Sequence, residues 1–207
     1  MRVAGAAIVI VTLLLAGCTG LPSAQPDAGT ATSPGTGATA VESPTAETPA
    51  LPAGENWTVT IVEVVDGDTM NIEYANGTRE TVRLLGVDAP EPYAEVSPGE
   101  FDGVPDTEAG RTWLREWGEN ATAFAQRRLA GETVRIVTDE RADRRGYYGR
   151  LLVYVVVDGE VFGEQLLEDG YARLYDTEFQ LYDRFAAAES RAQAADRGVW
   201  GFASTPS

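Results

Sequence analysis

Hydrophobic and polar positions divide the 207-residue chain into three stretches of different character. An apolar run, Val3 to Leu15, follows Met1-Arg2; residues Thr19 to Glu55 are built largely from Thr, Ala, Gly, Pro and Ser with no aromatic side chain; from Trp57 onward the pattern becomes that of packed secondary structure. Thr58 to Val65 is rich in β-branched residues and stops at Asp66-Gly67-Asp68, while Thr69 to Tyr74 alternates Met70, Ile72 and Tyr74 with polar neighbours. Asn76-Gly77 supplies the residues of a type I′ hairpin turn, and Glu80 to Val87 returns as a third strand. A helix is predicted over Thr112 to Leu129, closed by Gly131, then strands over Thr133 to Thr138 and Leu151 to Val157. Two further helices, Val161 to Glu168 and Leu181 to Asp196, are stopped by Gly170 and Gly198. Five strands with a helix between the third and fourth predict an α+β fold, a five-stranded Greek-key β-barrel of OB type with three α-helices.

The N-terminal run is roughly a dozen residues long, short of the ~20 that span a bilayer, and its basic start and small residues before a break have the layout of a secretory signal over 1–17. Leu15-Ala16-Gly17-Cys18 resembles the lipobox of exported lipoproteins, which makes Cys18 a lipidated first residue tethering the chain to the outer face of the membrane. An ordinary signal peptide with an incidental cysteine is the alternative. The segment 18–55 buries too little apolar surface to offset its ordering entropy, and reads as a disordered stalk with a reach of roughly 35 Å. A single globular domain over 56–202 and a short tail over 203–207 complete the organisation.

Composition narrows the chemistry. Without histidine there is no Ser-His-Asp or Cys-His nucleophile system, no histidine-ligated zinc and no imidazole base. One cysteine excludes an intramolecular disulfide and a thiolate metal cage. Carboxylates, arginine, tyrosine and hydroxyls remain. All 16 basic residues are arginine, against 32 acids, for a net charge of −16 and a pI near 4.3. A lysine-free, carboxylate-rich chain resembles the proteins of extreme halophiles, where salt screens self-repulsion; an acidic protein from a GC-rich genome is the plainer reading.

Three clusters stand out: Asp66-Gly67-Asp68-Thr69, Arg83-Leu84-Leu85-Gly86-Val87-Asp88-Ala89-Pro90-Glu91, and Tyr147-Tyr148-Gly149-Arg150-Leu151. Singly, each reads as turn or strand-end chemistry. In this order on this strand pattern they resemble the staphylococcal nuclease-like, or thermonuclease, family over about Thr58 to Trp200, with the lipobox and acidity suggesting a haloarchaeal lipoprotein member. The resemblance implies that Asp68, Asp88 and the Ala89 carbonyl bind calcium, that Arg83 and Arg150 are the catalytic arginines, and that Glu91 lies near the attacking water. It implies a monomer that cleaves the P–O5′ bond of DNA and RNA and leaves 3′-phosphate ends. Gly198 to Gly201 resembles the family's closing turn.

These residue types suit phosphodiester hydrolysis on physical grounds. Hard calcium takes oxygen ligands, the arginine fork matches phosphate oxygens, and a glutamate can position or deprotonate water where histidine is absent. Arg141, Arg144 and Arg145 with Tyr147 and Tyr148 form a local basic patch with stackable rings, and Tyr175 falls near where the family places a further ligand-contacting tyrosine. The stretch Pro92 to Glu108 exceeds the family's shortest loops and suits a lid, an additional cation site built from Glu95, Glu100, Asp102 and Asp106, or a solvated acidic loop. Asn56, Asn76 and Asn120 each begin an N-glycosylation tripeptide. Two rivals remain beside the nuclease: a non-catalytic OB-type nucleic-acid-binding module and a surface calcium-binding lipoprotein.

Overall fold

Alternating side chains on five strands close a barrel in the computed structural model, which describes residues 51–204. The strands are β1 (Asn56–Val64), β2 (Thr69–Tyr74), β3 (Arg79–Leu84), β5 (Thr133–Val137) and β6 (Leu151–Val157). β1 pairs antiparallel with β2 and β5, β2 with β3, and β5 with β6. The ring closes through a parallel pairing of β3 with β6, Val82 opposite Leu151 and Leu84 opposite Val153. Around the barrel the order is therefore β1-β2-β3-β6-β5, the OB-type arrangement. An irregularity in register between Ile61 and Glu63 bends β1.

Ile61, Met70, Ile72, Val82, Ile136 and Val153 are fully buried and fill the interior. Helix α1 (Glu108–Leu129) lays Ala121, Ala125 and Leu129 on this core, and α2 (Phe162–Glu168) and α3 (Tyr182–Ala194) add Phe162, Leu166 and Phe185. Two-residue strands complete the framework. β7 (Glu160–Val161) pairs antiparallel with the end of β6, while β4 (Val87–Asp88) and β8 (Arg173–Leu174) form a separate ladder with Asp88 opposite Arg173.

The fold differs from the sequence reading in four places. The hairpin after β2 is not type I′, because that turn needs positive φ at both central residues and only Gly77, at 82°, has it. Instead Gly77 N–H donates to Tyr74 C=O and Tyr74 N–H to Thr78 C=O, giving a three-residue loop with a left-handed glycine. Helix α1 begins at Glu108 rather than Thr112, capped by the Thr107 hydroxyl, which accepts from Gly110 N–H at 3.2 Å. Ala53 and Glu55, at the end of the segment read as stalk, are tied to the fold: Gln180 exchanges two hydrogen bonds with the Ala53 backbone, and Thr138 N–H donates to Glu55 C=O.

The fourth difference is the stretch Pro92 to Glu108, whose acids are exposed but several of whose apolar side chains are packed rather than solvated. Its Val96, Phe101 and Val104 are buried in a second core with Leu114, Ala192, Val199 and Trp200. Trp113 pins the C-terminal turn Gly198–Ser204 to α1 by donating its indole N–H to Val199 C=O at 2.9 Å. Of its acids, Asp106 pairs with Arg111 and Glu100 with Arg173. Burial of its three apolar side chains, at ~1.5–3 kcal/mol each, outweighs the weak repulsion of exposed charges.

Candidate active site

The Asp66–Asp68 turn joins β1 to β2 and aims its last carboxylate inward. Asp66 Oδ1 accepts from the N–H groups of Asp68 (3.0 Å) and Thr69 (2.7 Å), closing an Asx-type turn. Gly67 lets this turn slip between α1 and the exit of β4: a Cβ there would lie 2.8 Å from the Cβ atoms of both Ala121 and Ala89. Asp68 is consequently 5% exposed.

Arg83 lies opposite Thr69 in the β2–β3 register and reaches two carboxylates with one nitrogen. Its Nη2 donates to Asp68 Oδ2 at 3.1 Å and to Asp88 Oδ1. Asp68 Oδ2 also accepts from Ala89 N–H at 3.1 Å, and its Oδ1 accepts from the Thr69 hydroxyl at 2.9 Å. That hydroxyl in turn accepts from Arg150 Nη1 at 3.1 Å. Asp68, Arg83, Asp88, Ala89 and Arg150 are thus one connected group, as their motifs imply. Glu91 stands at the mouth as an exposed residue, its carboxyl lying far enough in to be partly desolvated.

Burial is the main influence on Asp68, and with the charges of Asp66 and Asp88 it outweighs Arg83 and pushes the carboxyl up to about 7. Glu91 is raised as well, by partial burial and then by Asp66 and Asp88, against the pull of Arg83 and Arg150. Arg83 stays charged because Asp68 and Asp88 offset its own burial. Among the described residues no cluster of three or more acidic or cysteine side chains is arranged as a metal cage. The remaining donor set, Asp68, Asp88 and a backbone carbonyl, is all oxygen, the chemistry that a hard divalent cation completed by water takes.

Two cavities flank this group and share Tyr175. One of about 290 Å³ is lined by Arg83, Arg145, Tyr147, Tyr148 and Arg150, the other, about 240 Å³, by Asp88, Glu91, Glu100 and Arg173. A larger cavity of about 430 Å³, lined by Arg141, residues 176–180, Tyr182 and Asp183, contains none of the connected group, so size does not locate the chemistry. Tyr148 is 79% exposed with the Arg150 guanidinium 5.6 Å from its ring centre, Tyr147 meets it edge-on, and Arg83 lies 5.8 Å from the ring centre of Tyr175.

The predicted basic patch is not brought together as a free cationic surface. Arg144 pairs with Glu55 and lies over Trp57, Arg145 pairs with Glu80 at 2.6 Å and donates to Gly149 C=O, and Arg141 turns to the separate cavity. Acids distant in sequence, which a linear reading cannot place, neutralise two of the three. Asn56, Asn76 and Asn120 are all exposed, and Cys18 falls outside the described residues.

Three residues of the site escaped the sequence reading. Asp66 and Thr69 were visible in Asp66-Gly67-Asp68-Thr69, whose turn chemistry signals side chains bonded to their own backbone. Arg173 carried no local signal: its guanidinium reaches Asp88 Oδ2 at 2.6 Å only because β8 pairs with β4.

An OB-type barrel thus brings the buried Asp68, the part-buried Asp88 and two arginines together between two cavities. The family model for staphylococcal nuclease homologues matches residues 81–201, more than half of the chain, and the chain belongs to that family. Among its relatives is an uncharacterized protein of Methanocaldococcus jannaschii, MJ1439, 39% identical over 155 residues, covering 72% of this chain and 73% of the relative. A thermonuclease of Staphylococcus hyicus is 29% identical over 145 residues, 69% of this chain and 75% of the relative. Endonuclease YncB of Bacillus subtilis is 32% identical over 145 residues, 69% of this chain and 61% of its own.

Proposed function

We propose that this protein is a calcium-dependent nuclease that hydrolyses phosphodiester bonds of DNA and RNA, leaving 3′-phosphate ends, exported and held at the outer face of the cell membrane through Cys18. The observation that carries the enzymatic part is the joining of Asp68, Arg83, Asp88 and Arg150 into one hydrogen-bonded group with Glu91 at its mouth. The names of the thermonuclease and endonuclease relatives support the substrate class. The signal-like first 17 residues and the lipobox support the location.

Asp68, Asp88 and the Ala89 carbonyl would hold the cation. Bound there, calcium supplies charge neutralisation and polarisation at a phosphate oxygen. Arg83 on β3 and Arg150 just before β6 approach the phosphate and donate to the oxygens on which charge develops. Glu91, its pKa raised by partial burial and by Asp66, accepts a proton from the attacking water or fixes its lone pair in line with the departing 5′ oxygen. Tyr148 and Tyr175 offer faces on which bases stack beside the scissile bond.

Steady-state cleavage of DNA and RNA by Glu91→Gln, Arg83→Ala and Arg150→Ala proteins tests this assignment. Loss of one transition-state donor costs about 10²–10³ in kcat. Calcium-dependent turnover left intact in any of the three removes that residue from the mechanism, and a wild-type protein that binds nucleic acid without cutting it makes the domain a binding module.

A further inference from the structure

We propose that Arg173 is a positioning residue for the metal-binding site, fixing the Asp88 carboxylate and making calcium affinity depend on the Pro92–Glu108 insertion. The inference rests on the calcium reading above. Both oxygens of Asp88 are engaged, by different arginines and on different sides. Oδ1 faces Arg83 and, beyond it, Asp68; Oδ2 is held by Arg173 Nη2 at 2.6 Å. The two arginines therefore have separate parts. Arg83 occupies the space between the two carboxylates, while Arg173 grips the outer oxygen and leaves Oδ1 as the one presented inward.

Arg173 is placed for this by backbone and side chain together. It lies directly across the β4–β8 ladder from Asp88, and its side chain is only 18% exposed. Its guanidinium is packed between two rings, 5.7 Å from the centre of Phe101 and 6.0 Å from that of Tyr175. The same Nη2 reaches Glu100 at 3.2 Å, and Nε is buried without a hydrogen-bond partner. An arginine accepts such a cost where neighbouring contacts fix its position. Two of those contacts, Glu100 and Phe101, belong to the insertion, and Phe101 is anchored in the second core against Trp200. The path from the second core through the insertion to the metal ligand is thus Trp200 to Phe101 to Arg173 to Asp88.

Partners of this kind, bonded to a ligand rather than to the metal, typically change affinity about 10–100-fold when removed. Direct calorimetric titration of the metal-free protein with calcium, without nucleic acid, reads the effect independently of turnover. Arg173→Gln is expected to weaken calcium binding about tenfold or more, and Arg173→Lys, which keeps the charge, to recover part of the loss. Glu100→Gln, at a half-exposed position, is expected to weaken it about two- to threefold. Unchanged or tighter binding in Arg173→Gln overturns the proposal, tighter binding marking Arg173 as a competitor of the cation. Should that variant fail to melt cooperatively, Glu100→Gln decides, and unchanged affinity there overturns it. A wild-type protein that takes up no calcium overturns the calcium reading itself and this inference with it.

Discussion

Asp68 concentrates the physics of the site in one side chain. It is enclosed by the Gly67 turn, α1 and the β4 exit, so its charge is costly without a cation, and its pKa rises from 3.8 to about 7. A carboxyl whose folded pKa is raised stabilises the fold fully below pH 3.8, and that contribution is lost as pH rises through about 7. On the proposed reading calcium must displace the proton. Calcium affinity is therefore expected to weaken as pH falls below 7, with protons released on binding, measurable by calorimetry in buffers of different ionisation enthalpy. Binding at pH 6 without proton release would contradict this origin. Asp68, Arg83, Asp88, Ala89 and Arg150 were legible in the sequence because each belongs to a short motif at a strand end. Arg173, one of 16 arginines, was not, because its role arises from the register of two two-residue strands.

At the scale of elements, α1 sets the position of Glu91. Gly118 on α1 faces the backbone of Pro90 to Pro92, where a Cβ would come within 2.4 Å of Pro90 C=O, so Gly118→Ala must push the Glu91 loop outward. Misplacement near 1 Å costs up to about 10²-fold; kcat is expected to fall about 10-fold or more while the circular dichroism spectrum is unchanged. A second junction, Asp139, ties the end of β5 to β6 and the approach to α3, accepting from the Tyr154 hydroxyl at 2.5 Å and from the N–H groups of Gln180 and Arg141, each at 2.7 Å. Burial alone would raise its pKa, but these bonds win and lower it. Asp139→Ala strands the buried Tyr154 hydroxyl and should cost about 2–3 kcal/mol in denaturant unfolding. The barrel strands were readable from alternation. The short ladders and the second core were not, since Val96, Phe101 and Val104 are spaced among prolines, glycines and acids with no helical or strand period.

For the whole molecule the excess of carboxylates decides how salt acts. Residues 56–207 carry 15 arginines against 28 acids, a net −13. The exposed ion pairs are worth ~0–1 kcal/mol each, so screening them loses less than screening the collective repulsion gains. The screening length falls from about 10 Å at 0.1 M salt to about 3 Å at 1 M. The melting temperature is therefore expected to rise between 0.1 and 2 M potassium chloride; a flat or falling curve would place the stability in the ion pairs. The same screening hides the global charge from a polyanion while close contacts from Arg83 and Arg150 persist. The central claim is tested most directly by incubating the protein with DNA and RNA across that salt range, with calcium or with chelator, and identifying the ends formed. Calcium-dependent cleavage leaving 3′-phosphates is the predicted result, and no cleavage at any salt, or cleavage undiminished by chelator, would contradict it.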